Sequence, residues 1–193
     1  MRSAIAPKPT LFKTAKAWET WLRTHHRSSD GLWLQIAKAG ADDASVTYAE
    51  AIDVALCFGW IDGQKKALDD QRWLQRFTPR RAKSLWSKIN VTKALALIEA
   101  GRMQPAGQAQ IAAAQADGRW DSAYDGAGAS TVPLDLQAAL DANPRAKKFF
   151  ASIDGANRYA VLWRVQTAKK AETRAKRIAQ FVDMLARGEK LHR

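Results

Sequence analysis

The sequence predicts an α+β fold that is predominantly α-helical, with a small antiparallel sheet of about three strands and a helical C-terminal half. Alternating apolar residues at 32–39 and 60–78 indicate short strands, and apolar residues spaced by three and four elsewhere indicate helices. The apolar fraction, 47% of 193 residues, is also rich in alanine, which favours helix. We expect residues 1–120 to form the α+β core and residues 121–193 a helical region packed on the same domain.

The first half of the chain contains the strands. Residues 1–11 are expected to be extended and loose, and a helix follows at Thr14–His26. After a strand at Leu32–Ala39, Thr47 and Glu50 form a capping box that starts a second helix. The segments 60–67 and 72–78 then indicate a β-hairpin.

The second half is predicted to be helical. Thr78-Pro79 has the sequence of a helix start, with threonine as N-cap and proline at the first position. Further helices are predicted near residues 91–100, 104–117, 133–141, 144–152, 155–166 and 168–187. The small-residue loop Trp120–Ser130 is the expected mobile segment or domain joint.

Charge is the most distinctive feature of the composition. The net charge is +12, and the stretch Gln71–Ile98 contains seven cations and no acidic residue. Such a field attracts phosphates, nucleic acid or anionic membrane surfaces. The single cysteine, Cys57, excludes an internal disulfide and fits a reducing compartment. With no apolar segment of signal-peptide or membrane-span length, the chain is expected to be cytoplasmic.

Common catalytic and cofactor motifs are absent from the sequence. It contains no phosphate loop, Gly-x-Gly-x-x-Gly, Gly-x-Ser-x-Gly, His-Glu-x-x-His or cysteine pair. We therefore expect no metal and no cofactor, and the sequence leaves open whether any reaction is catalysed.

A candidate binding surface surrounds the predicted helix start. Two arginines and free backbone N–H groups at a helix N-terminus would attract an anion, and arginine suits phosphate or carboxylate. Serine and asparagine side chains would extend the polar surface, and tryptophan rings would supply stacking faces. The candidate ligand-binding residues are Trp60, Asp62, Thr78, Arg80, Arg81, Ser84, Trp86 and Asn90.

A structural interpretation of the same residues stays open. The tryptophans would then belong to the core, and the arginines would pair with acids such as Asp62 or Asp69. Asp62 itself is expected either to pair with Arg80 or Arg81 or to act as a general base.

Several blocks of sequence resemble the YdeI/OmpD-associated family, also called bacteriocin-protection proteins. They are Ala55–Gly63 (ALCFGWIDG), Arg76–Arg81 (RFTPRR), Ser84-x-Trp86-Ser87-x-x-Asn90, Gly101–Met103, Gly118–Trp120 and Glu172–Arg174. The resemblance implies a mostly helical C-terminal half and provides no agreed catalytic residue. It also implies a link to porin association and to resistance against bacteriocins or antimicrobial peptides. Because no signal peptide is found, a cytoplasmic stress-related role is expected.

The expected function is binding of an anionic small molecule or protein partner. One alternative is an enzyme acting on a phosphorylated or carboxylated small molecule, with Asp62 as base and Arg80 and Arg81 as clamp. Another is a non-specific nucleic-acid binder, in which the basic window and residues 169–177 form one stripe. The sequence leaves the oligomeric state open.

Overall fold

The computed structural model describes residues 9–192, so residues 1–8 of the stretch expected to be loose, and Arg193, lie outside the described residues. The α+β class is confirmed, with strands in the N-terminal half and a helical C-terminal half. In chain order the elements are β1 (Thr10–Leu11), α1 (Ala15–His25), β2 (Leu32–Ala37), α2 (Tyr48–Cys57), β3 (Trp60–Ala67), β4 (Arg72–Pro79), α3 (Lys88–Glu99), α4 (Pro105–Ala116), α5 (Leu134–Asp141), α6 (Pro144–Ser152), α7 (Gly155–Gln166) and α8 (Ala171–Ala186).

The sheet has four strands in the order β1-β2-β4-β3. The three expected strands, β2, β4 and β3, are antiparallel neighbours. The strand not expected is β1, which has only two residues and pairs parallel to Leu34 and Gln35 of β2. Two residues give too little alternation to be recognised in a sequence.

One face of the sheet packs on α1 and α2. The fully buried Trp18 of α1 lies 5.6 Å from the ring of Phe77 and 6.2 Å from that of Trp60, between ring centroids. Its indole N–H donates to the backbone oxygen of Ala51 in α2 at 3.1 Å. The predicted capping box at the start of α2 is confirmed, because Thr47 and the residue at N3 exchange both hydrogen bonds.

The chain divides into two compact units. The first comprises the described residues up to Trp86 together with Asn90–Ser122, and the second comprises Ser87–Ile89 and the described residues from Ala123 onward. The second unit has its own core, formed by α5 to α8. Within it, Arg174 of α8 binds both carboxylate oxygens of Asp135 in α5, at 2.6 and 2.8 Å.

The predicted helix start at Thr78-Pro79 is wrong. Both residues end strand β4, where Pro79 pairs with Trp60 of β3, and the chain is irregular until α3 begins at Lys88. The cause is tertiary, because the ladder continues into a hydrogen bond from the Arg80 N–H to the Gly59 oxygen at 2.9 Å. A Thr-Pro pair permits a helix start but does not require one.

No helix within residues 9–192 is long and apolar enough to cross a membrane.

Helix α4 packs closely on the end of α2 at a glycine. A Cβ atom on Gly107 would lie 2.7 Å from the backbone oxygen of Leu56 and would also overlap the oxygen of Cys57. Neither backbone oxygen is free to move, since both belong to the last turn of α2. The glycine is therefore required by packing, although it lies inside a helix, where alanine is normally favoured.

We predict that Gly107→Ala destabilises the protein by about 1–3 kcal/mol, because overpacking outweighs the better helix propensity of alanine. Gly155→Ala is the matched control, since a Cβ at that helix start meets no atom within 4 Å. Urea unfolding followed by circular dichroism measures both variants. Equal free energies of unfolding for the two variants would contradict the packing argument.

Candidate functional site

The segment Arg80–Ser87 connects the sheet to α3 and contains half of the candidate ligand-binding residues. It starts beside Gly59, which follows the end of α2 and has a positive φ of 71°. A side chain at Gly59 would contact the backbone oxygen of Ala106 at 2.8 Å, so the backbones approach closely there. The start of the segment is thus held by the hydrogen bond between Arg80 and Gly59.

Arg80 is buried rather than presented to solvent. Only 6% of the residue is exposed, and its guanidinium carbon lies 3.6 Å from the ring centroid of Trp86. Its Nη1 donates to the backbone oxygen of Leu85 at 3.2 Å. Trp86 is itself buried, and its ring packs edge-on against Trp120 at 4.8 Å. The buried Arg80 and Trp86 and the half-buried Trp120 form a cluster of a cation and two indoles, which we call the Arg80–Trp86–Trp120 stack.

A second arginine holds the same segment from the α4 side. Arg119 is 6% exposed, and its Nη1 donates to the backbone oxygen of Ser84 at 2.8 Å. Its Nε donates to the Asp117 carboxylate at 2.7 and 2.8 Å. Sequence reasoning missed Arg119 as part of this cluster, although it lies directly after Gly118, whose positive φ follows the end of α4.

The segment turns sharply between Arg81 and Ser84. The Arg81 N–H donates to the Ser84 hydroxyl oxygen and the Ser84 N–H donates to the Arg81 carbonyl oxygen, both at 2.9 Å. Arg81 and Lys83 are exposed on this turn. The two arginines that were expected side by side therefore have different environments: Arg80 lies inside the fold and Arg81 at its surface.

The remaining candidate residues lie in different places. Trp60 is 1% exposed and donates to the His26 oxygen, so it belongs to the core. Asp62 accepts a hydrogen bond from the Tyr48 hydroxyl at 2.7 Å, which corrects the expected pairing with the arginines. Thr78 is half-buried in β4 opposite Ile61, and Asn90 is half-buried in α3.

Acids from distant parts of the chain neutralise part of the acid-free window. Arg72 pairs with Asp43 at 2.8 Å and Lys93 with Asp53 at 2.6 Å. Lys88 pairs with Asp125 at 2.7 Å. Within residues 9–192, no ion pair involves Arg81 or Lys83. The Arg81–Ser84 turn is therefore a place where the positive charge of the window remains available to a ligand.

A separate cavity of about 240 Å³ lies at the end of α2. It is lined by Glu19, Val54, Cys57, Phe58, Gly101, Arg102 and Gln104. Burial raises the pKa of the Cys57 thiol to about 11, and Arg102 only partly opposes this effect. Cys57 is thus a neutral core thiol, and it lies in the last turn of α2, where the negative end of the helix dipole also disfavours a thiolate. Among the described residues no group of three histidine, cysteine or acidic side chains is placed to hold a metal ion.

Two family models match the chain. Residues 10–110 match "Domain of unknown function (DUF8412)", and residues 129–188 match "Bacteriocin-protection, YdeI or OmpD-Associated". Comparisons with curated proteins and with solved structures found no match. The expected resemblance to the bacteriocin-protection family is confirmed for residues 129–188. Of the sequence blocks that suggested it, only Glu172–Arg174 lies within these residues.

We predict that Arg80→Met lowers the free energy of unfolding by about 2 kcal/mol, because it removes a desolvated cation–π contact and the hydrogen bond to Leu85. Arg81→Met, one residue further on, is the matched control and should change it by less than about 0.5 kcal/mol. Urea unfolding followed by tryptophan fluorescence measures both. An Arg80 variant as stable as the Arg81 variant would show that the stack contributes nothing.

We also predict that Cys57 reacts slowly with a thiol reagent such as Ellman's reagent. At pH 8 a thiol of pKa about 11 is ionised about a hundredfold less than one with a pKa near 9. Labelling of the native protein should therefore be at least about a hundredfold slower than labelling in concentrated guanidinium chloride, and should accelerate as the pH rises towards 11. Equal rates in the native and unfolded protein at pH 8 would contradict this assignment.

Proposed function

We propose that this chain, which belongs to the DUF8412 family by its N-terminal part, is an anion-binding protein acting in stress or antimicrobial-peptide resistance. The resistance role is proposed from the bacteriocin-protection, YdeI or OmpD-associated domain at residues 129–188. The proposed ligand is a phosphorylated or carboxylated small molecule, or an acidic protein partner. The proposed location is the cytoplasm. The observation that carries the proposal is the Arg81–Ser84 turn, which exposes two cations on a rigid base.

The turn has the properties that an anion site needs. Arg81 and Lys83 are exposed and belong to no ion pair within residues 9–192, so a ligand would not have to displace a carboxylate. The Arg80–Trp86–Trp120 stack and Arg119 hold the backbone of the turn in place. The turn therefore loses little conformational freedom when a ligand binds. Arginine adds planar donors that suit phosphate and carboxylate.

The candidate residues divide into two roles under this proposal. Arg81 and Ser84 contact the ligand, with Lys83 as an added cation. Buried side chains hold the turn and its surroundings in place. They are Trp60, Arg80 and Trp86. The half-buried Asp62, Thr78 and Asn90 are proposed as the polar margin of the site.

Net charge favours an anionic partner over direct capture of a bacteriocin that is itself cationic. A protein with a net charge of +12 repels a cationic peptide at long range and attracts the anions that such a peptide would bind. Protection by this chain would therefore act through binding of the anions that a cationic peptide targets, and not through binding of the peptide itself.

We predict that inorganic pyrophosphate shifts the backbone amide resonances of residues 81–84 in a nitrogen–proton NMR titration. The double variant Arg81→Gln/Lys83→Gln should weaken pyrophosphate binding about tenfold, equivalent to ~1.4 kcal/mol. Both substitutions lie at exposed positions, so the free energy of unfolding should change little.

Arg145→Gln/Lys148→Gln is the matched control. It removes one arginine and one lysine from exposed positions on α6 and lowers the net charge equally. Its pyrophosphate affinity should stay within about twofold of the parent protein, a difference of ~0.4 kcal/mol. If the two double variants lose the same affinity, the effect belongs to net charge, and the turn is not the site.

A further inference from the structure

The sheet of the first unit has a second face, opposite the one that packs on α1 and α2. Side chains alternate along a strand, so the residues beside the core positions Leu34 and Phe77 point to this second face. We call it the outer sheet face and define it by residues of β2, β3 and β4. These are Trp33, Gln35, Lys66, Arg72, Leu74 and Arg76.

An aromatic ring lies near the middle of the outer sheet face with cations above it. Trp33 is only half-buried, and it is the direct cross-strand partner of Arg76. The Lys66 Nζ lies 4.6 Å and the Arg76 guanidinium carbon 5.9 Å from the ring centroid of Trp33. A flat stacking surface and two positive groups are thus within one side-chain length of each other.

Negative charge is absent from this face within the described strands. Strands β2 and β4 contain no acidic residue, and the single acid of β3, Asp62, pairs in register with the core residue Phe77. Arg72 is paired with Asp43 from a neighbouring loop. Lys66 is exposed and takes part in no ion pair within residues 9–192.

We propose that the outer sheet face binds single-stranded nucleic acid, with one base stacked on Trp33 and backbone phosphates bound by Lys66 and Arg76. Every base has a face that can stack on an indole, so such a site tolerates any sequence. Lysine has a flexible stem, so the Lys66 ammonium can leave the ring for a phosphate when a base takes its place. A duplex is a poor ligand for this site because its bases are already stacked on each other.

This site is independent of the anion site proposed at the Arg81–Ser84 turn. It uses a different set of side chains and needs an aromatic ring as well as cations. A small anion would satisfy the cations but would leave the Trp33 ring unused. An acidic peptide would likewise gain from charge alone, which gives the experiment a way to separate the two ligand classes.

The adjacent residue Lys65 supplies a matched control. Lys65 and Lys66 are neighbours on β3, and each holds its ammonium over a tryptophan ring. Lys65 lies 4.2 Å from the ring centroid of Trp73, and its register partner is Gln75, so it belongs to the opposite side of the sheet. The two lysines are both exposed and carry the same charge.

The test is fluorescence anisotropy with a labelled oligothymidylate of about 12 nucleotides at several salt concentrations. Trp33→Leu should weaken binding between about fivefold and 150-fold, the range for loss of one stacked base. Lys66→Gln should weaken binding and reduce the slope of log affinity against log salt by about 0.7, the value for one single-strand phosphate contact. Lys65→Gln should leave the affinity for the oligothymidylate within about twofold. Trp33→Leu should weaken binding by the same factor whether or not Lys65→Gln is also present.

Two further measurements decide the ligand class. A duplex of the same length and a polyglutamate of similar length should both bind more weakly than the oligothymidylate and should be insensitive to Trp33→Leu. The proposal is overturned if Lys65→Gln and Lys66→Gln lose equal affinity, or if polyglutamate binds as tightly with the same dependence on Trp33. Lys66 is exposed, so its variant tests the site even if Trp33→Leu proves unstable.

Discussion

The guanidinium of Arg80 against the indole of Trp86 is the contact on which the segment between β4 and α3 depends. A charge buried to 6% exposure is costly unless it is compensated, and the ring face at 3.6 Å and the Leu85 oxygen provide that compensation. Since Arg80 also continues the sheet ladder through its N–H, its side chain and backbone are fixed together. The chain after β4 therefore leaves the sheet as an irregular segment, which turns between Arg81 and Ser84 and then carries Trp86 into the core.

The irregular course of the segment between β4 and α3 also accounts for the polar contacts of Arg119 with that segment. An irregular segment exposes backbone carbonyl groups that a helix would have satisfied internally, and the Ser84 oxygen is one of them. Arg119 supplies the missing donor, and Asp117 neutralises Arg119 in turn. The cluster replaces the hydrogen bonds of the helix that Thr78-Pro79 suggested. Its cost is two buried guanidiniums, each of which has an aromatic or anionic partner.

Much of the secondary structure could be predicted because its causes are local. Side-chain caps at Thr14, Thr47 and Asn143 start helices at the expected places, and each accepts the backbone N–H that its position requires. The segment after Pro79 could not be predicted in this way. Its conformation is decided by contacts with Gly59 and Trp120, which are distant in sequence and leave no trace in local spacing.

The candidate site was predictable in its residues more than in its geometry. Arg80, Ser84 and Trp86 do lie together, but in a buried cluster and not around an open helix N-terminus. Tryptophan was the main source of ambiguity, because the same residue type fills cores and forms stacking surfaces. Trp60 and Trp86 are core, whereas Trp33, which drew no attention in the sequence, is only half-buried. Only the strand register shows which side of the sheet a tryptophan occupies.

The distribution of ion pairs matters more for recognition than the net charge of +12. Acids outside the window reach Arg72 and Lys93, so these cations contribute little field of their own. Arg81 and Lys83 at the Arg81–Ser84 turn, and Lys66 on the outer sheet face, are among the cations that form no ion pair within residues 9–192. A turn with cations alone suits a compact anion, while cations beside a half-buried indole suit a ligand that is both flat and charged. The two surfaces therefore differ in the chemistry they recognise, although both derive from the same basic composition.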